Sequence, residues 1–369
     1  VNDLRISLLF LACLSPLARP IAQAQIFQER EVLIPWSKAA PHGMDVLLVY
    51  AELPGKRPLA VLTHGTSANQ QDRNSVSAWS LLQQATWFAR RGWVALIVVR
   101  RGYGKSGGRP DYIYGGCPKT DYEEAGRASA EDLSAAIQYG CSLPQVDPTR
   151  IISAGVSTGG FATVALTANA PAGLLAAINF AGGWGRADHD VCNVGELVGA
   201  YRSFGKTSRI PMLWIYAEND RKFWPELAQK FNDAFRAGGG QNQFVQAPAI
   251  GEDGHFLFQR ISAWSPIVGS FLKAQNLVWL PEPLPPPKSS EPAPPGLTET
   301  GAKAFGRYGT LGPHKAFAMS EHGFGMSVDQ PTVQAAKKNA TDRCRHSAPK
   351  GEKCKVVSID GTPEESTND

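Results

Sequence analysis

Residues 151–166 run Ile151-Ile152-Ser153-Ala154-Gly155-Val156-Ser157-Thr158-Gly159-Gly160-Phe161-Ala162-Thr163-Val164-Ala165-Leu166. An apolar stretch stops at a serine set between glycines and resumes as an Ala-rich helical pattern, so Ser157 falls on a strand-to-helix turn. A serine on so tight a turn tends toward a strained backbone, and its flanking chain passes close to the neighbouring strand and helix. Gly155 and Gly159 leave room for that approach. The turn aims the hydroxyl outward from the end of a strand, at a helix N-terminus whose free N–H groups favour a developing negative charge. Alone, the pattern is only moderately specific, because Gly and Ser are common turn residues. Its meaning depends on what else the chain supplies.

Outward from the turn, short apolar runs alternate with helical patterns. Strands are predicted at 46–51, 59–63, 94–99, 151–154, 176–180, 211–216 and 243–246, and helices at 77–91, 128–139, 158–169, 225–237 and 257–274. This alternation specifies an α/β class, a mostly parallel sheet with helices on both faces that binds ligands at the carboxyl ends of its strands. The pattern defines a large domain over 25–280. Residues 281–296 are Pro-rich and lack the backbone donors of regular structure, so they form an extended linker. A small α+β module follows at 297–369, with strands at 315–320 and 354–358 and a helix at 331–343. So short a module has a thin core and calls for a disulfide.

The bulk composition excludes more than it assigns. With 43% hydrophobic and 19% charged residues and a formal charge of +4, the chain has an ordinary globular balance, and no Lys/Arg run points to nucleic acid. Arg5, the apolar stretch Ile6 to Leu14 and Ala22-Gln23-Ala24 form a signal-peptide pattern over 1–24, so export to the periplasm or medium is expected. That stretch is too short to span a bilayer, and no transmembrane segment is expected in the mature chain. Cys13 leaves with the signal; Cys117, Cys141, Cys192, Cys344 and Cys354 remain, an odd number in an oxidising compartment. Cys344 and Cys354 form the natural local pair. Cys117 and Cys192 lie in loops on one face of the expected sheet and are paired as well, which leaves Cys141 free.

A nucleophilic serine needs a base, an acid to orient the base, and donors for an oxyanion. His255, in Gly251-Glu252-Asp253-Gly254-His255, follows the last strand and is the best base; His189, in a polar loop, is the competitor. Asp220 directly follows the strand Leu213 to Tyr216 and is the acid, with Glu218 its rival two positions away. The backbone N–H groups of Thr158 and of Thr66, in Thr63-His64-Gly65-Thr66, are the expected oxyanion donors. This chemistry calls for no cofactor and no metal. Tyr103, Trp184, Phe223 and Trp224 fall in strand-end loops and are candidate pocket residues, and the stretch between Phe180 and Arg209 is too short for a large helical cap.

With these residues in the order Ser157, Asp220, His255, the chain resembles the α/β-hydrolase superfamily, and within it the dienelactone-hydrolase and prolyl-oligopeptidase-like branch. The resemblance covers roughly Glu31 to Asn276 and extends to Arg100-Arg101-Gly102-Tyr103-Gly104-Lys105-Ser106-Gly107 and to Asn179-Phe180-Ala181-Gly182-Gly183. It implies two-step acyl transfer through Ser157 on small or medium carboxylic esters, with short peptides as the alternative substrate. A non-catalytic cell-envelope binding protein on the same fold is the reading from a different class. The last module resembles small secreted Cys-containing domains of unknown role, and its partner is unknown.

Overall fold

The computed structural model describes residues 27–66, 73–110, 120–185, 191–286, 291–309, 311–328, 330 and 332–363. The expected signal at 1–24, His189 and Cys117 lie outside these residues.

Eight strands build the large sheet: β1 (Phe27–Ile34), β2 (Met44–Ala51), β3 (Arg57–Thr63), β4 (Val94–Val98), β5 (Val146–Val156), β6 (Leu174–Phe180), β7 (Met212–Ala217) and β8 (Asn242–Ala247). Their spatial order is β1-β2-β4-β3-β5-β6-β7-β8. β2 runs antiparallel to β1 and β4, and every pairing from β4 to β8 is parallel. The helices are α1 (Leu82–Ala89), α2 (Tyr122–Ser142), α3 (Thr158–Thr167), α4 (Val194–Gly205), α5 (Pro225–Ala237) and α6 (Ile261–Ala274). This is the α/β-hydrolase fold.

Strand residues alternate between two cores, as the pleat requires. Val46, Leu48, Val61, Leu96 and Val98 face one core with Leu133 of α2, Phe161 of α3 and Phe231 of α5. Leu47, Val49, Ala60, Leu62 and Ile97 face the other with Phe88 of α1 and Trp264 of α6. Because both faces are covered, β2, β4, β6 and β7 are almost wholly apolar. All seven predicted strands are present. Two elements of this domain escape the sequence pattern. β1 is an edge strand whose stretch Gln28-Glu29-Arg30-Glu31 breaks the alternation, and it is half exposed along its length. α4 lies within the stretch expected to hold only loops; it buries Leu197, Ala200, Tyr201 and Phe204 in the first core, so it flanks the sheet.

The second sheet is antiparallel, in the order β10 (Phe324–Ser327), β9 (Ala316–Met319), β11 (Lys355–Ile359), β12 (Thr362–Pro363), with helices α7 (Glu299–Tyr308) and α8 (Val333–Ser347). β9 serves two small cores: Ala316 and Ala318 pack with Ala336, Ala340 and Cys344 of α8, while Phe317 and Met319 pack with Phe305 and Tyr308 of α7. A disulfide joins Cys344 to Cys354, and Cys141 is a free thiol. Cys192 is disulfide-bonded, and its expected partner Cys117 is outside the described residues. At the start of the linker, Leu284 exchanges hydrogen bonds with Arg90, and Arg150 stacks over Trp279. Arg90 lies just before β4 and Arg150 in the first half of β5, so the linker starts near the strand ends opposite those that carry the candidate site.

Candidate active site

Ser157 sits between β5 and α3 with φ 56° and ψ −123°, a region that a residue with a side chain rarely occupies. The sequence makes room for this conformation. A Cβ on Gly155 would fall on the Gly159 carbonyl, and one on Gly159 would fall on the His64 carbonyl. The turn is held from below. The Ser157 N–H donates to the Phe180 carbonyl (3.0 Å), and the Gly183 N–H donates to the Ser157 carbonyl (3.1 Å). The loop that supplies Gly183 is fixed in turn, because the Gly182 carbonyl accepts from the Tyr201 and Tyr216 hydroxyls at 2.8 and 2.6 Å. Burial raises the pKa of both phenols, which keeps them protonated as donors.

Ser157, His255 and Asp220 meet in one hydrogen-bonded line. His255 Nε2 is 3.1 Å from Ser157 Oγ, and His255 Nδ1 is 3.2 Å from each Asp220 carboxylate oxygen. Asp220 is buried (2% exposed) and also accepts the Lys222 and Phe223 N–H groups at 2.8 Å, so it turns its own loop as well as orienting the imidazole. Its rival Glu218 is exposed. Two residues without an expected role tie the acid loop to the base loop. Asp253 Oδ1 accepts from the Arg221 and His255 N–H groups (3.1 and 2.9 Å). The Asn219 side chain bridges to Ile250 and Gly251, accepting one N–H and donating to two carbonyls.

On the other side of Ser157 lies the loop after β3. Gly65 comes so close that a Cβ there would stand 3.0 Å from Ser157 Cβ. Thr66 follows it, and Thr158 opens α3. Among the described residues, neither backbone N–H has an acceptor. The two side chains are joined: the Thr158 hydroxyl donates to Thr66 Oγ1 at 2.6 Å. Behind them lies Arg100, fully buried. Its Nη2 donates to Thr66 Oγ1 (3.2 Å) and Thr158 Oγ1 (3.0 Å), and its Nη1 to the His64 carbonyl (2.7 Å) and Thr63 Oγ1 (2.9 Å). The Arg100 backbone N–H donates to His64 Nε2 (3.1 Å), which therefore carries no proton, so Nδ1 donates to the Gly65 carbonyl (2.6 Å). Burial and the neighbouring Arg100 cation hold the His64 pKa well below its ordinary value. His64 is thus a neutral brace.

Three of the four expected pocket aromatics are packing residues instead. Tyr103 is fully buried, with its hydroxyl 3.0 Å from Thr66 Oγ1 and its ring edge-on to His64. Trp184 stands edge-to-face against Phe161 in the first core. Phe223 is buried against the His255 ring. Trp224 is 41% exposed, as is the unanticipated Phe256, at 54%, beside His255. Composition shows an aromatic near a strand end but not the direction it points. Arg100 is harder to foresee, because the stretch Arg100 to Gly107 shows a resemblance but not the partners of its first residue, which come from two separate segments, 63–66 and the start of α3. Among the described residues, no cluster of acidic, His and Cys side chains could hold a metal ion.

Residues 44–206 match the family model for X-Pro dipeptidyl-peptidase (S15 family). A quorum-quenching protein, AidA, of Acinetobacter baumannii (strain MDR-ZJ06) is 30% identical over 112 residues, and the match spans 30% of this chain and 31% of that protein. The chain is also similar to two solved structures. One is an esterase of Pyrococcus furiosus (15% identity, TM-score 0.47, 67% of this chain and 93% of that one). The other is an acylaminoacyl peptidase of Pyrococcus horikoshii (18% identity, TM-score 0.49, 67% and 41%).

Proposed function

We propose that this chain, an α/β-hydrolase of the serine type, is an exported enzyme that cleaves small or medium carboxylic esters through an acyl-enzyme on Ser157. The observation that carries this reading is the unbroken line from Ser157 Oγ through both His255 nitrogens to a buried Asp220, set on a strained turn beside two N–H groups that have no acceptor among the described residues. As Ser157 Oγ bonds the carbonyl carbon, His255 Nε2 takes its proton and the carbonyl electron pair moves to oxygen. The N–H groups of Thr66 and Thr158 receive that oxyanion, each such donor contributing about 3 kcal/mol of barrier lowering. His255 then gives the proton to the leaving alcohol as the C–O bond breaks, and water repeats the sequence on the acyl group. Asp220 keeps the Nδ1 proton facing it and stabilises the imidazolium.

Trp224 and Phe256, exposed beside Phe223 and His255, support an apolar ester substrate. The match of residues 44–206 to a dipeptidyl-peptidase model favours a second reading, cleavage of short peptides. Export is supported by the signal pattern at 1–24 and by the Cys344–Cys354 disulfide, a bond at home in an oxidising compartment. A fluorophosphonate probe should label the protein once, at Ser157, and leave Ser157→Ala unlabelled; equal labelling of the two sinks the enzyme reading. Turnover of nitrophenyl esters and lactones against X-Pro naphthylamides then separates the substrate classes. Amide cleavage outpacing ester cleavage would move the assignment to a peptidase.

A further inference from the structure

The proposed oxyanion donors come from two segments far apart in sequence, the loop after β3 and the first residue of α3. A hole built this way works only if the two N–H groups keep a fixed separation, since a displacement of about 1 Å can cost on the order of 100-fold in rate. Close packing of Gly65 on Ser157 and of Gly159 on the His64 carbonyl sets how near the two segments lie, but contact between glycine backbones carries no directional bond that would fix the N–H groups. The side chains behind the hole supply the missing constraint. Arg100 Nη2 reaches Thr66 Oγ1 and Thr158 Oγ1 together, and the two hydroxyls are bonded to each other at 2.6 Å. Donor counting orders this triangle. Arg100 can only donate, and the Thr158 proton goes to Thr66, so both Thr66 lone pairs are taken and the Thr66 proton points to the Tyr103 oxygen, 3.0 Å away. The same guanidinium holds the loop a second time through the His64 carbonyl, and the Arg100 main chain holds it a third time through His64 Nε2.

We propose that Arg100 is the positioning residue of the oxyanion hole, clamping the Thr66 and Thr158 hydroxyls so that the two backbone N–H groups stay set for a tetrahedral intermediate. The proposal rests on the serine-hydrolase reading above. The planar fork of arginine is essential to it. It presents parallel donors to four acceptors, a task that the single point charge of lysine cannot perform. Its buried positive charge also lies on the side of Ser157 where the negative charge develops.

The test compares wild type with Arg100→Lys, Arg100→Met and Thr158→Val, the last being isosteric and leaving Arg100 in place. Active sites are titrated with a fluorophosphonate, so that each rate refers to folded, reactive enzyme. The readouts are kcat and KM on a nitrophenyl ester and the affinity for a trifluoromethyl ketone, whose hydroxyl adduct mimics the oxyanion. For Arg100→Met, kcat should fall on the order of 100-fold with KM within about 3-fold, and trifluoromethyl ketone affinity should fall in parallel with kcat/KM. Arg100→Lys should recover only a minor part, and Thr158→Val should fall on the order of 10-fold in kcat. Wild-type kcat per titrated site in Arg100→Met overturns the proposal, as does full recovery by lysine or a loss confined to KM. If Arg100→Met yields no folded protein, an unchanged kcat in Thr158→Val still overturns it. Failure of wild type to be labelled at all would instead defeat the hydrolase reading beneath it.

Discussion

The two halves of the site are built from opposite chemistries. On the acid and base side, the charged groups that hold the loops after β7 and β8 are acceptors: Asp220 takes two backbone N–H groups beside its imidazole, and Asp253 takes one from each loop. On the oxyanion side, the loops after β3 and β4 are held by a donor, the buried Arg100, which grips hydroxyls and a carbonyl. On the proposed mechanism, each brace has the sign opposite to the charge that forms beside it, carboxylates by the imidazolium and a guanidinium by the oxyanion. The groups that fix the geometry therefore also set a field that favours charge separation across Ser157, and they do so without reorganising during the reaction. The difference teaches that scaffolding and electrostatic preparation are here the work of the same side chains.

The largest expected effect comes from neutralising the negative half while keeping its shape. Asp220→Asn retains an oxygen for the Lys222 and Phe223 N–H groups, but its amide cannot hold His255 with the Nδ1 proton facing it. The expected loss is about ten-thousand-fold in kcat, with little change in thermal stability. Ester turnover and a melting curve on the same sample check both parts. A loss under about 10-fold would mean that Asp220 mainly turns its loop, and the contrast between the halves would collapse.

How far the sequence reaches differs between the halves in the same way. The nucleophile turn, the base after the last strand and the acid after the one before are local patterns: a residue type, a neighbouring glycine and a strand end. They point to Ser157, His255 and Asp220, which lie within hydrogen-bonding distance of one another in the fold, and the helix predicted at 225–237 has the same bounds as α5. Arg100 and Asn219 act through partners about 30 or more residues away, and Asp253 joins the neighbouring His255 N–H to that of distant Arg221, so no local pattern announces these links. The aromatics failed for a related reason. Tyr103 and Trp184 stand where a pocket residue would, but turn into the core. α4 was hidden by Gly195, Gly199 and Gly205, whose low helix propensity is overridden by the burial of Leu197, Tyr201 and Phe204.

A smaller effect separates charge from shape within the negative half. Asp253→Ala removes the acceptor shared by the Arg221 and His255 N–H groups, so the base loop loosens against the acid loop, and kcat should drop about 10-fold with KM unchanged. Asp253→Asn restores an acceptor without the charge. If Asn recovers the wild-type rate, the brace is geometric; if it stays with Ala, the carboxylate contributes through its field, as the contrast requires. Steady-state kinetics of the pair decide which holds.

The smallest effect concerns the neutral brace of the positive half. His64 is buried next to a fixed cation, which keeps its pKa in the fold well below the ordinary 6.5. The unfolded chain takes up a proton there below about that pH, and the folded chain does not, so the folded state binds fewer protons. The stability contributed by His64 is thus whole above about pH 6.5 and is lost as the pH falls, by up to about 1.4 kcal/mol per pH unit. His64→Gln offers an oxygen to the Arg100 N–H and does not titrate. Melting temperatures measured from pH 7.5 down to pH 5 should fall less steeply in His64→Gln than in wild type. Parallel slopes would show that His64 accepts a proton inside the fold, in which case the brace behind the oxyanion side would not be the uncharged acceptor that Arg100 requires.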